Sequence, residues 1–361
     1  MKILVTGGCG FAGSEVIRAL LECREGLEIV VVDNLSRRGS EGNIEPLRSL
    51  GCDVRAGDVR DRAFLEALPR MDWILDAAAN PSVLAGIDTA STSRDLVDQN
   101  LYATVNLLEL CKTWSASFTL LSTSRVYSIP ALCALPVVKT DGRFALPGGT
   151  SGVGWSPAGV NEDFSTAPPL SLYGSTKRCS ELLALEYGQA FGFPVWINRC
   201  GVLAGAGQFG KADQGIFSYW IHSWRAGRPL RYIGFGASGC QVRDCLHPRD
   251  LVDVLLAQVD WGTASVERVL NLAGGAAYSI SLKELSAWCA SHIGPAQPDA
   301  DPASCSDPAL ERPFDIPWAV LDCGRAEKIW GWKPSTPIVQ VLEEIAAHAA
   351  AHPDWLDRVA N

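Results

Sequence analysis

The stretch "KILVTGGCGFAGSEVIRALLE", Lys2 to Glu22, decides how the chain is read. Its first part, "KILVTG", reads as a short strand, and "FAGSEVIRALLE" reads as a helix. Gly7, Gly10 and Gly13 fall at the turn between them. Glycines there permit a tight turn and let backbone N–H groups approach a pyrophosphate at the positive end of the helix. A glycine-rich string alone is weak support for that chemistry, since an ordinary strand–helix turn also uses glycine. Its position strengthens it: after a strand, opening a helix, at the expected switch point of a sheet. Asp33 ends the next strand, "EIVVVD", 20 residues beyond Gly13. A carboxylate there accepts hydrogen bonds from an adenosine ribose and repels a 2′-phosphate. Arg37 and Arg38 leave NADP open, while Asp33 favours NAD.

Outward from this unit the pattern repeats. "CDVRAGD", "DWILDAAA" and "SFTLLSTS" read as strands, separated by helical stretches that include a long one over 95–114. Short continuous Val/Ile/Leu runs between helices indicate a parallel sheet covered on both faces, a Rossmann-type doubly wound α/β domain. Residues 128–169 break the pattern. They are rich in Pro and Gly, as expected of a long binding loop or lid. The helix over 171–192 and the strand "FPVWINRC" restore it. From about residue 205 the elements become shorter and irregular. The expected division is therefore a dinucleotide-binding domain over 1–204, with the insertion 128–169 and a return of part of 240–272. Residues 205–361 mainly form a smaller α/β substrate lobe.

The 361 residues are 47% hydrophobic and 20% charged, enough for a sizeable globular core. A net charge of −9 argues against a general nucleic-acid or membrane-surface binder. The opening apolar run is too short for a secretion signal, and no apolar window reaches about 18 residues. A cytoplasmic soluble protein is the expectation. The 12 cysteines contain no Cys-x-x-Cys pair, and the five histidines are dispersed. His348 and His352 stand one helical turn apart without evident partner ligands, so no metal site is expected.

"SLYGSTKRCSELLALEY", Ser171 to Tyr187, raises the chemical question. Tyr173 and Lys177 lie four apart, hence on one helix face. A free tyrosine, with a pKa of about 10, is a poor base at neutral pH. A nearby ammonium and a cationic nicotinamide both favour its phenolate. An exposed Tyr–Lys pair is the plain alternative, weakened by the glycine loop and Asp33.

The spacing GxxGxxG together with Tyr-x-x-x-Lys resembles the extended short-chain dehydrogenase/reductase family, and the likeness spans nearly the whole chain. It implies that Thr123, in "STSRVYS", is the catalytic hydroxyl beside Tyr173 and Lys177. It implies cofactor contacts at Gly7, Gly10, Phe11, Ala12, Gly13, Asp33, Asn34, Ser36 and Arg37. Further contacts would be Asp58 and Val59, Ala77, Ala78 and Ala79, Asn100, Ser122, Tyr173, Lys177 and Arg199. Within that family the chain resembles the CDP-paratose 2-epimerases through "DNLSRRGSEGN", "GVNEDFSTAPPLSLYGSTK", "RCGVLAGAGQFGKADQG" and "YIGFGASGCQVRDCLH". By that resemblance Ser124, Arg125, Gln208, Asp213, Gln214, Arg243 and Arg312 face a nucleotide-diphosphate sugar, with Arg243 and Arg312 on its diphosphate and nucleotide. The family's dehydratases carry an Asp-Glu pair after the catalytic Thr; here Ser124 and Arg125 stand there, which disfavours dehydration. The resemblance implies an NAD-dependent 2-epimerase that works through a 2-keto sugar, and a homodimer formed through the helices near 95–114 and 171–192. A 4-epimerase of the same fold and a non-catalytic NAD-binding regulator stay open.

Overall fold

A computed structural model of the chain describes residues 1–87, 91–211, 214–262, 266–296, 301–307 and 309–360. Seven parallel strands form the main sheet: β1 (Lys2–Thr6), β2 (Glu28–Asp33), β3 (Asp53–Ala56), β4 (Trp73–Asp76), β5 (Ser117–Thr123), β6 (Val195–Cys200) and β7 (Val269–Leu272). Their spatial order is β3-β2-β1-β4-β5-β6-β7, so the chain runs outward from β1 first to one edge and then to the other. The crevice between β1 and β4 is thus the switch point, where such sheets bind ligands beyond their strand ends.

The apolar runs are continuous because each strand serves two cores. Ile3 and Val5 of β1, Ile29 and Val31 of β2, and Trp73 and Leu75 of β4 point to one face. There they meet Val16, Ile17 and Leu20 of α1 (Phe11–Cys23). The alternate residues Leu4, Val30, Val32 and Ile74 point to the other face. They pack on Leu107, Leu108 and Cys111 of α2 (Ala103–Trp114) and on Ala184 of α3 (Ser171–Phe191). Period-two alternation with both faces covered leaves no polar side to these strands. Each fully buried Leu, Ile or Val contributes about 1.5–3 kcal/mol of transfer free energy.

The smaller lobe is built on strand Val242–Leu246, which pairs in parallel with Val202–Leu203 and Trp318–Ala319 and antiparallel with Ser279–Ser281. Phe217, Trp220 and Ile221 of helix Ile216–Arg225 pack there with Leu285 and with Val341, Leu342 and Ile345 of helix Ile338–Ala351.

Two expectations change in form. The single helix over 95–114 consists of Ser93–Val97, a π-helical turn Asp98–Tyr102, and α2. The turn is held by the Asn100 amide, which bonds the backbone N–H and C=O of Asn80. Residues 128–169 are also more ordered than their composition suggests. They carry helix Ile129–Cys133 and two small hairpins, and they cover a core of Tyr127, Leu132, Val160, Phe164, Trp318 and Val320.

Candidate functional site

The glycine loop comes within backbone distance of the residues after β4. Gly7 has φ +63°, and a Cβ there would stand 2.8 Å from the Ala78 backbone. A Cβ on Gly13 would stand 2.4 Å from the Gly7 carbonyl oxygen, so the α1 N-terminus closes directly on the loop. Gly10, Phe11 and Ala12 are half-buried at that helix start, and Ala77 and Ala78 are half-buried across the crevice, with Ala79 exposed. Only a backbone without side chains fits so close to a second backbone, and this cradle suits a dinucleotide pyrophosphate.

Asp33 sits at the end of β2. Its two oxygens accept from the N–H groups of Cys9 (3.0 Å) and Leu35 (2.8 Å). Burial raises its pKa while these N–H groups oppose the rise. Each carboxylate oxygen retains a further lone pair for a ribose hydroxyl. Asn34 donates to Asp58 at 3.1 Å, and Arg60 binds the same carboxylate and lowers its pKa to about 2. Val59 lies half-buried beside them, and the exposed Ser36 donates its N–H to Asn34. Arg37 and Arg38 donate to the carbonyls of Phe209 (2.5 Å) and Ala360 (2.8 Å). That engagement favours NAD over NADP.

Tyr173 and Lys177 lie on the inner face of α3, at 7% and 2% exposure. Gly174 between them explains the close fit. A Cβ there would stand 2.2 Å from the Arg125 carbonyl oxygen, so α3 lies backbone to backbone against the turn Ser124–Val126. This brings the Tyr173 hydroxyl beside the Thr123 side chain, which interacts with it. Burial, rather than the Lys177 charge, dominates the Tyr173 phenol in the chain itself. It pushes Tyr173 up to about 12, against the Thr123 side chain and the Arg125 charge. Burial also lowers the Lys177 pKa, opposed by Asp76 and Glu181. Among the described residues the Lys177 ammonium makes no hydrogen bond or ion pair. A buried cation left in this way beside the phenol fits the ribose hydroxyls of a nicotinamide half.

Three residues expected on the cofactor have other partners. Ser122 donates to Glu181 at 2.6 Å, and Arg199 pairs with the same carboxylate at 2.8 Å and with the Tyr127 hydroxyl. Asn100, 2% exposed, joins Asn80 to Thr176 of α3. Their side chains hold β5, β6 and the π turn against the helix that carries the tyrosine. Glu181 and Asp76 went unnoticed in the sequence. Glu181 had a signal, four residues beyond Lys177 on the same face; Asp76 had none beyond its strand end.

Arg125, whose carbonyl meets Gly174, also lines a cavity of about 330 Å³. Arg125, Arg243 and Arg312 line it together with Arg231, with Asp315 as the lone carboxylate among the lining residues. Arg125 donates to the Phe314 carbonyl at 3.1 Å, and Arg243 pairs with Asp315 at 3.1 Å. Burial and the like charges of Arg243 and Arg312 lower Arg125 to about 10. Four guanidinium groups against one carboxylate suit a multiply charged anion. Gln214 lines the cavity too, and Ser124 lines a smaller chamber adjoining it behind Arg125 and Arg243. The Gln208 amide donates to the Leu203 carbonyl at 2.7 Å and braces its own loop, and the residue is not among those lining the cavity. Asp213 lies outside the described residues. Arg231 belongs to no motif that the sequence displayed, whereas Asp315 closes the segment "ERPFD" that carries Arg312.

The family model described as "NAD dependent epimerase/dehydratase family" matches residues 3–273. Among curated proteins, a CDP-paratose 2-epimerase of Salmonella typhi is 28% identical, over 79% of this chain and 82% of its own. Among solved structures, a dTDP-glucose 4,6-dehydratase of Streptomyces venezuelae with NAD and TYD bound superposes with a TM-score of 0.78 at 23% identity. That match covers 99% of this chain and 100% of the other. A UDP-glucuronic acid 4-epimerase of Bacillus cereus, in complex with UDP-glucuronic acid and NAD, gives 0.74 at 24% identity, over 97% and 99%. At such identities the two structures speak for the fold.

Proposed function

The chain belongs to the NAD dependent epimerase/dehydratase family, and from that membership we propose a nucleotide-sugar epimerase inverting C2 of a CDP-linked hexose. The observation that carries an epimerase reading is the buried Tyr173–Lys177 pair at Thr123, together with a cavity lined by four arginines. The choice of C2 and of CDP is supported by the Salmonella typhi relative. The choice of epimerisation over dehydration is supported by Ser124 and Arg125, which put no carboxylate next to Thr123.

NAD is the family's cofactor; Gly7, Gly10, Gly13, Asp33 and Lys177 would hold it. When bound, it supplies a reversible hydride acceptor and a cationic ring that favours phenolate. The chain's own groups do the rest. Tyr173, as phenolate, takes the proton of the sugar hydroxyl and later returns it to the alkoxide. Thr123 hydrogen-bonds the same sugar oxygen and fixes its orientation. Lys177 keeps a positive charge one helical turn from the phenol, which stabilises the phenolate. Inverting one carbon requires the ring to turn while the rest of the substrate stays put. Arg125, Arg243 and Arg312 supply that anchor on the diphosphate.

Substrate panels decide the reading. CDP-, UDP- and GDP-hexoses carrying deuterium at C2 or at C4 would be incubated with the NAD-loaded enzyme and the products resolved by NMR. Inversion at C2 of the CDP sugar, slowed by deuterium at C2 and with that deuterium retained at C2 of the product because the same hydride returns, is the expected result. Inversion at C4 alone would sink the C2 assignment in favour of a 4-epimerase. The proposed setting is cytoplasmic, consistent with the free thiols of all described cysteines. The proposed assembly is a homodimer through the exposed sides of Ser93–Val97, the π turn and α3.

A further inference from the structure

Residues 205–211 and the pair Gln214–Gly215, tied together by backbone hydrogen bonds between Lys211 and Gln214, reach from one expected ligand site to the other. On the cofactor side, the Phe209 carbonyl accepts from Arg37, in the segment that follows Asp33. On the substrate side, Gln214 and Gly215 line the arginine cavity. The position of this loop therefore enters the geometry of both.

What backs the loop comes from the far end of the chain. The indole N–H of Trp355 donates to the Gln208 carbonyl at 3.0 Å. Its ring stacks on Phe209, with centroids 6.0 Å apart and planes 30° from parallel. The Gln208 carbonyl also accepts from Ser218 at 2.9 Å, so the loop is gripped from the lobe and from the C-terminal segment at one atom. That segment is itself fastened at two places. Arg38 donates to the Ala360 carbonyl at 2.8 Å, and Arg228 pairs with Asp357 at 2.5 Å. It lies close against the cofactor loop: a Cβ on Gly39 would stand 2.8 Å from Val359 and 3.2 Å from Phe209. Three segments distant in sequence (37–39, 208–209 and 355–360) thus form one joint.

We propose that Trp355 is a positioning residue for both ligands: by holding Gln208 and Phe209 it fixes the loop that connects the adenosine side of the dinucleotide site to the diphosphate cavity. Trp355 touches neither ligand. Its effect passes through Arg37 at one end of the loop and Gln214 at the other. The inference rests on the nucleotide-sugar reading above. Its consequence is that loosening one contact weakens binding at two sites together, with the chemistry of Tyr173 untouched.

The test measures NAD and CDP affinities by calorimetry, with KM and kcat on the substrate found above, for wild type, Trp355→Ala and Trp355→Phe. Loss of one aromatic stack and one hydrogen bond is expected to weaken both NAD and CDP by about tenfold. KM should rise in step while kcat at saturation stays within about twofold, since the reacting groups are unmoved. Trp355→Phe keeps the stack and should recover part of both affinities. Phe209→Leu removes the stack from the other side and keeps the backbone carbonyls; it is read in the same way if Trp355→Ala does not fold. Affinities within about twofold of wild type in Trp355→Ala or Phe209→Leu, with or without a lower Tm, overturn the proposal, because a purely structural role lowers Tm alone. Loss of affinity for only one ligand overturns it too. Wild type that binds neither NAD nor CDP removes the reading of the site itself, an outcome distinct from binding that ignores Trp355.

Discussion

At the scale of single residues, two neighbours on α3 carry separable predictions. Tyr173→Phe removes the proton acceptor and leaves the ring in its buried place. Turnover should fall by about 10²–10⁴-fold with the fold intact by circular dichroism. Turnover within a few-fold of wild type would exclude Tyr173 as the base. The pH dependence has a definite sign. The base acts as phenolate, and burial holds the free enzyme's phenol up to about 12. Hence kcat/KM should climb with pH between 7 and 9; a flat or falling profile would contradict it. Gly174 tests the backbone. With a Cβ 2.2 Å from the Arg125 carbonyl, Gly174→Ala must move α3 off the turn that holds Thr123. A stability loss of about 1–3 kcal/mol in urea unfolding and a larger proportional loss of kcat are expected. Tyr173 and Lys177 were legible in the sequence because four-residue spacing is a local property. The true neighbours of Ser122 and Arg199 were not, because Glu181 meets them only once β5, β6 and α3 are packed together.

At the scale of elements, helix Ile338–Ala351 meets helix Ile216–Arg225 through an imidazole pair. His348 and His222 approach to 3.3 Å, with the His352 ring tilted against His348 and the Trp355 ring edge-on to it. Burial lowers both His222 and His348 to about 4; the charges of His352, Arg228 and Arg358 push the same way, and the paired Asp357 faces Arg228. An unfolded histidine titrates near 6.5, so between 6.5 and 4 the unfolded chain binds more protons. The stability from these neutral histidines is whole above about 6.5 and declines as pH falls toward 4, at up to about 1.4 kcal/mol per unit per group. His247, also lowered to about 4, adds to the slope. Buried Asp244, raised to about 6, opposes it, since the native state favours its protonated form below that pH. Urea midpoints should therefore fall between pH 7 and pH 5, and His348→Gln should flatten the fall. An unchanged slope in that variant would refute the assignment. The sequence displayed His348 and His352 one turn apart; His222 joins them only through the helix–helix contact. The π turn at Asn100 was hidden for a similar reason, since its cause is a bond to Asn80.

At the scale of the whole molecule, the sheet order follows from rules that act on the sequence directly. Apolar runs covered on both faces and right-handed crossovers leave few ways to arrange the strands, and β1 with its glycine loop marks the switch point. The arginine cavity follows from no such rule, because Arg125, Arg231, Arg243 and Arg312 come from four segments that only the folded lobe gathers. The proposed dimer tests what the remaining surface does. Val97 and Tyr102, ahead of α2, are exposed together with Leu172 and Leu182 of α3, on neighbouring helices. Large exposed side chains on adjacent helices mark an interaction surface, and a stable dimer buries about 1,200–2,000 Å² in all. Leu182 is 48% exposed and takes no part in the site, so Leu182→Glu should leave the monomer folded. A charge buried in an apolar interface opposes association strongly. Light scattering after size exclusion should therefore show twice the 361-residue mass for wild type and the single mass for Leu182→Glu. Wild type at the single mass would exclude the dimer. A Leu182→Glu protein still at the double mass would move the interface away from α3.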